Sequence, residues 1–114
     1  MIKLYGIPNC DTVKKTRKWL SEAGIEYEFH DYKKQGVPTD SLRQWLQQAG
    51  TEVIVNKRGT SWRKLSDEEK SLVETIEGAI SLLESNSSVI KRPIIEAGSD
   101  LIIGFNPDQM ASLK

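Results

Sequence analysis

One cysteine and one histidine occur in this chain of 114 residues. A single cysteine excludes an intramolecular disulfide, a CxxC dithiol and a thiolate zinc cluster together. With no second histidine or cysteine to complete a ligand set, no metal site is expected. Net charge is also lacking: sixteen Lys and Arg face sixteen Asp and Glu. No global field therefore favours nucleic acid or an anionic membrane, and neither is expected as a partner. No apolar run approaches the roughly 18 residues of a membrane span. The first nine residues lack the apolar core and small-residue cleavage site of a signal peptide. A cytoplasmic setting is the expectation, where a lone thiol stays reduced.

What is present fits one folded domain. Hydrophobic residues at 38% and charged residues at 28% suit a globular chain and not a disordered one. At this length folding buries roughly two-thirds of the exposable surface, enough for one core.

The pattern alternates strand and helix. Ile2 to Gly6 is a short apolar run ended by Gly6 and Pro8, and it reads as a strand. Asn9 is placed to cap the helix that follows. Val13, Thr16, Leu20 and Ala23 give the three-and-four spacing of that helix, and Gly24 suits the residue past its end. Ile25 to His30 alternates as a half-buried strand, and Asp31 to Gly36 reads as a polar loop.

Thr39 is the expected cap of a second helix carrying Leu42, Trp45, Leu46 and Ala49, closed by Gly50. Val53 to Val55 is a short strand or a buried loop, and Asn56 to Arg63 an ordered basic loop around Trp62. Ser66 to Glu69 is a capping box. Leu72, Ile76, Ile80 and Leu83 continue an apolar stripe, with a helix break near Glu74–Thr75. Ile94-Ile95 and Leu101 to Ile103 flank a hairpin turn. Asn106-Pro107 starts a last helix. The order is β-α-β-α, a helical segment, then ββα: one α/β domain over 1–114 with a mixed sheet.

The chemistry candidate is Cys10. It sits where a strand ends and a helix begins, beside amides that have no intrahelical partner and at the positive end of the helix dipole. Both stabilise a thiolate, the nucleophilic form. Thr12 offers a hydroxyl donor to the sulfur, and Lys14 and Lys15 add positive charge, whereas Asp11 opposes ionisation. A free cysteine also fills space in many proteins, and the residues alone leave both roles open. His30, with Asp31 beside it, is either an ordinary strand residue or a partner of Cys10. Lys57, Arg58, Arg63 and Lys64 surround Gly59 and Trp62, either as a solvated loop or as an anion-recognition loop. Arg92-Pro93 precedes a strand; a cis proline there sets Arg92 on the rim of the sheet end that carries Cys10.

Three segments in order carry a family resemblance: Tyr5-Gly-Ile-Pro-Asn-Cys-Asp-Thr-Val-Lys-Lys15, Val55-Asn-Lys-Arg-Gly-Thr-Ser-Trp-Arg63 and Lys91-Arg-Pro-Ile-Ile95. Together they resemble the thioredoxin-fold branch of glutaredoxin-coupled arsenate reductases and Spx regulators, nearest the YffB-type arsenate-reductase-like proteins. The resemblance runs over essentially the whole chain. It implies a thioredoxin-like core with a helical insertion at about 39–85, Cys10 as nucleophile, Arg92 as its electrostatic partner and Pro93 as a cis proline beside the site.

The resemblance further implies substrate or glutathione contacts from Asn9, Thr12, Lys14, Asn56, Arg58 and Pro93. No tightly bound cofactor is implied; glutathione is the co-substrate, glutaredoxin a further partner, and a small-molecule or protein disulfide the substrate. Two departures weigh against arsenate. Asn56 stands where arsenate reductases carry an arginine, with Arg58 two residues on, and their third arginine falls near Gly104–Phe105 and is missing. Val13 stands where the Spx switch has its second cysteine. The resulting expectation is a glutathione-dependent, monothiol thiol–disulfide reductase. Arsenate reduction and an Spx-type interaction module are the alternatives.

Overall fold

The apolar run at the N-terminus forms β1 (Ile2–Gly6), and the Cys10 segment leads directly into α1 (Asp11–Glu22). The computed structural model describes residues 2–113. The described residues divide into two compact units, 2–35 with 92–113 and 36–91.

The first unit is built on a four-stranded mixed sheet in the order β2-β1-β3-β4, with β2 at Tyr27–Asp31, β3 at Ile94–Ala97 and β4 at Asp100–Ile103. β1 runs parallel to β2, with Tyr5 opposite His30 and Gly6 opposite Asp31. It runs antiparallel to β3, with Tyr5 opposite Ile94. This is the thioredoxin-like arrangement of a βα β unit joined to a ββα unit, as the element order implied. α1 turns Val13, Thr16 and Leu20 inward. Leu4, Leu20, Ile95, Ile102 and Met110 form a core, with Trp19, Phe29 and Phe105 packed against it. A helical turn, α2 (Tyr32–Gln35), follows β2 where a polar loop was expected. β2 itself starts at Tyr27 and not at Ile25, because the Ile25 amide donates to the Leu20 carbonyl and closes α1 instead of joining the sheet.

The second unit is helical. α3 (Thr39–Ala49) buries Leu42, Trp45 and Leu46 against α7 (Ile76–Ser85), whose inward residues are Ala79, Ile80, Leu82 and Leu83. Arg43 and Glu77 form an ion pair across these two helices. Gly50, at φ +92°, breaks the chain after α3. Val53 then lies in a helical turn, α4 (Thr51–Ile54), and Val55 forms an isolated bridge to Ile90, so neither the strand nor the loop reading was complete. The basic loop contains another turn, α5 (Thr60–Arg63).

Two expected caps are corrected. α1 is capped by Cys10 and not Asn9, with no side-chain bond at the cap. α3 is capped by Pro38, whose carbonyl accepts from the Leu42 amide, while Thr39 is already helical and its hydroxyl donates to Glu84. Ser66 does form its capping box, at the start of α6 (Asp67–Ser71). The expected break falls at Thr75, whose hydroxyl oxygen accepts from the Gly78 amide and starts α7 in a new helical phase. That reset corrects the long stripe: Leu72 and Ile76 lie on the exposed side. In the first unit, Asn106 caps the last helix, α8 (Pro107–Met110), with Pro107 in its first turn.

Candidate active site

Cys10 is half-buried at the exact start of α1, with extended backbone angles and its carbonyl accepting from the Lys14 amide at 2.9 Å. The Asp11, Thr12 and Val13 amides precede that first helical bond and have no carbonyl partner within the helix. No side chain caps them, so the positive end of the helix dipole beside Cys10 is not offset by a capping hydrogen bond. Here the N-cap side chain is the thiol itself. Thr12 and Lys14 are exposed in this first turn, and Asn9 is exposed just before it. Thr16 is buried; its hydroxyl donates to the Thr12 carbonyl at 2.8 Å and ties down the turn.

Val13, three residues beyond Cys10, is fully buried against the backbone of Gly6. The position of a second thiol in a CxxC pair is therefore a core position in this chain.

The Arg92–Pro93 peptide is cis, as the sequence suggested. Pro93 is buried, and its carbonyl accepts from the Gly104 amide at 2.8 Å, made possible by a left-handed Gly104 at φ +81°. Because Tyr5 pairs with Ile94, the chain leaving β1 toward Cys10 and the chain entering β3 from Arg92 lie at one end of the sheet. β2 ends there too, because Gly6 pairs with Asp31. Register alone thus assembles Cys10, half-buried Arg92, Pro93, His30 and Asp31 at a common sheet end.

A cluster of polar aromatics adjoins Arg92. The Tyr5 hydroxyl donates to the Glu96 carboxylate at 2.6 Å. The His30 ring lies 5.1 Å from that of Tyr5 and 6.0 Å from that of Tyr32, centroid to centroid. The Tyr32 hydroxyl is buried and has no hydrogen-bond partner among the described residues. Burial drives its ionisation far above the ordinary tyrosine range; Tyr5 and Glu96 add to the rise, and the Arg92 guanidinium opposes it.

Lys15, the fifth residue of α1, places its ammonium 4.8 Å from the centre of the Phe105 ring. Near Gly104–Phe105, where an arginine is missing, a cation thus reaches the fold from another element.

Asn56 and Arg58 belong to the second unit. The Asn56 side-chain oxygen accepts from the Arg58 amide at 3.2 Å, and its own amide donates to the Val89 carbonyl at 2.7 Å. Asn56 is therefore the builder of its loop. Arg58 is exposed beside a cleft of about 300 Å³ shared with Glu52, Val55, Asn56, Lys57 and Lys91, in which Lys57 is paired to Glu52 at 2.9 Å. Trp62 lies under Lys57 and Lys70, at 5.7 and 5.9 Å from its ring centre. Among the described residues no group of three or more His, Cys, Asp or Glu is arranged to hold a metal ion, and no helix is long and apolar enough to cross a membrane.

Arg17, in the second turn of α1, carries no local signal in the sequence; its guanidinium stacks over the Phe29 ring at 4.5 Å, a contact that depends on how α1 packs on β2.

Residues 5–113 match the model of the ArsC family. An uncharacterized protein of Haemophilus influenzae is 46% identical over 106 residues, covering 93% of this chain and 92% of that one. The global transcriptional regulator Spx 1 of Lactococcus lactis is 33% identical over 112 residues, covering 96% and 86%. Among solved structures, a YFFB protein superposes with a TM-score of 0.92 at 40% identity, covering 99% and 98% of the two chains. The solution structure of an arsenate reductase (ArsC) related protein from Brucella melitensis gives 0.75 at 40% identity, covering 97% and 92%. The match spans the Cys10 segment, the basic loop and the cis-proline strand in one pass, and this chain belongs to the ArsC family.

Proposed function

We propose that this chain is a glutathione-dependent thiol–disulfide reductase of the arsenate-reductase-like type, working through Cys10 alone. The observation that carries the reading is the position of Cys10 as the N-cap of α1, at the sheet end that also holds Arg92 and the cis Pro93. ArsC-family membership and the arsenate-reductase-related solved structure support the reaction class.

In the first step the Cys10 thiolate attacks the glutathione sulfur of a mixed disulfide. The substrate S–S bond breaks, a Cys10–glutathione disulfide forms, and the substrate leaves as its thiolate. This chain has no second cysteine, so a second glutathione must attack the glutathionyl sulfur, releasing the Cys10 thiolate and oxidised glutathione. Glutaredoxin is the alternative resolving thiol. Arg92 stabilises the thiolates, the amides of Asp11 to Val13 do the same from the helix start, and Thr12 and Lys14 flank the sulfur. A reducing cytoplasm supplies the glutathione. Arsenate is the less suited substrate, since Asn56 and Gly104–Phe105 stand where its reductases carry arginines.

The test is glutathione-coupled reduction of a glutathione mixed disulfide. Wild type turns over, Arg92→Ala is slowed about tenfold or more, and Cys10→Ser is inactive. Turnover retained by folded Cys10→Ser would refute the proposal.

The Spx relative supports a second reading, a non-enzymatic interaction module. Val13 in the core speaks against a CxxC switch within it. The readings separate in a strain lacking this chain: a Cys10→Ser copy that fully restores its phenotype favours the module.

A further inference from the structure

On the β2 side of the Cys10 loop lies an open cavity of about 360 Å³ lined by Pro8, Arg17, Phe29, Asp31, Lys34 and Gln35. Its charges are arranged and mutually unspent. Asp31 is 7% exposed, and its carboxylate accepts one backbone N–H, from Lys33 at 2.8 Å. Its own amide donates to the Gln35 side-chain oxygen at 3.0 Å, which fixes the turn around it. Among the described residues it makes no ion pair, although a buried carboxylate strongly favours a cationic partner.

Arg17 is held apart from it. Its guanidinium stacks over the Phe29 ring at 4.5 Å, and its Nε donates to the Tyr27 hydroxyl at 3.2 Å. The plane of the fork is thereby set while its two terminal nitrogens remain for a carboxylate. Lys34 is exposed, also lines the cavity and has no ion-pair partner among the described residues.

One cavity is thus lined by a buried carboxylate and two cations, along β2 from Phe29 to its end at Asp31. That is the complement of an α-amino-acid head group, ammonium and carboxylate on one carbon. The volume is at the lower end for ligand pockets and suits a fragment of that size better than a whole tripeptide.

Pro8 ties the cavity to the thiol. Only Asn9 separates it from Cys10, so the Cα atoms are at most about 7 Å apart. The head group of a γ-glutamyl residue lies roughly 7–10 Å from the neighbouring cysteinyl sulfur in an extended chain. We infer that this cavity is the subsite for the γ-glutamyl head of glutathione when its sulfur is exchanging with Cys10. The α-carboxylate is held by Arg17 and Lys34 and the α-ammonium by Asp31. The inference rests on the glutathione reading above and locates its specificity.

The experiment measures the rate of mixed-disulfide formation at Cys10 by mass, at physiological salt, from four disulfides. These are oxidised glutathione, γ-glutamylcysteine disulfide, neutral 2-hydroxyethyl disulfide and the dianion dithiodipropionate, which has carboxylates and no ammonium. Lys34→Glu, a change at an exposed residue, and Arg17→Gln should each slow the two γ-glutamyl disulfides roughly tenfold and leave the other two unchanged. Equal slowing of dithiodipropionate would mean charge steering only and would overturn the subsite, as would no slowing at all; either result leaves Cys10 exchange standing. Failure of all four disulfides to modify Cys10 in wild type would overturn the glutathione reading and the subsite with it.

Discussion

Replacing Gly6 by alanine tests how the Cys10 turn is held. A Cβ at Gly6 would stand 2.8 Å from Cγ2 of Val13, with Cγ1 at 3.6 Å. Carbon–carbon contacts sit at about 3.5–4.0 Å, so roughly 0.7 Å or more must be found. Val13 cannot supply it by rotating. It is β-branched in a helix, where one rotamer dominates, and it is fully buried. The start of α1 must shift away from β1 instead. Overpacking of this kind costs about 1–3 kcal/mol, and the lost chain entropy of glycine returns about 0.4–1, leaving a net loss of roughly 1–2 kcal/mol. Val13→Ala alone removes two buried carbons and should cost about 2 kcal/mol. In the double variant the new methyl at position 6 enters the space Val13 vacates, so the two losses should not add, with a coupling of about 1 kcal/mol. Urea midpoints for the four proteins measure this directly. Gly6→Ala within 0.5 kcal/mol of wild type, or strict additivity, would refute the contact. Since Val13 and Cys10 share the first turn, Gly6→Ala should also slow exchange at Cys10 while Val13→Ala in the double variant restores it.

Tyr32→Phe removes a buried hydroxyl that has no partner among the described residues and should leave stability at neutral pH unchanged or raise it by up to about 1 kcal/mol. It should also flatten the alkaline limb. The folded chain keeps the Tyr32 proton above about pH 10, where the unfolded chain loses it. Stability from this group is therefore constant below that pH and falls above it by up to ~1.4 kcal/mol per pH unit. Urea midpoints at pH 8 and 11 for wild type and Tyr32→Phe check both statements, and identical alkaline slopes would contradict the second. Thr75→Ala deletes the cap that starts α7 and should cost about 1 kcal/mol, while Thr75→Asp or Thr75→Ser should restore most of it.

Much of the fold was legible because its signals were local. The capping box at Ser66, the Asn106–Pro107 start, the break at Thr75 and the β3–β4 hairpin each depend on side chains a few residues apart. The short turns Tyr32–Gln35, Thr51–Ile54 and Thr60–Arg63 escaped because four residues are too few to show a period. Asn9 and Thr39 were plausible caps by residue type, but the backbone placed the helix starts one residue away, at Cys10 and Pro38. Leu72 and Ile76 continued an apolar spacing that the new phase of α7 interrupted. At the site, Cys10 was visible because it immediately precedes a helix, and Arg92 and Pro93 because an X-Pro pair leads into a strand and can take the cis form. That Arg17, Asp31 and Lys34 line one cavity was invisible, since it depends on β2 lying parallel to β1 and on a stack of Arg17 over Phe29.

The most direct test of the central claim is the intact mass of the folded protein after treatment with oxidised glutathione. One glutathione should add per chain, on Cys10, and reduced glutathione in excess should remove it completely. A folded wild-type protein that stays unmodified, or an adduct that reduced glutathione cannot release, would contradict the account of Cys10 as a monothiol exchange centre.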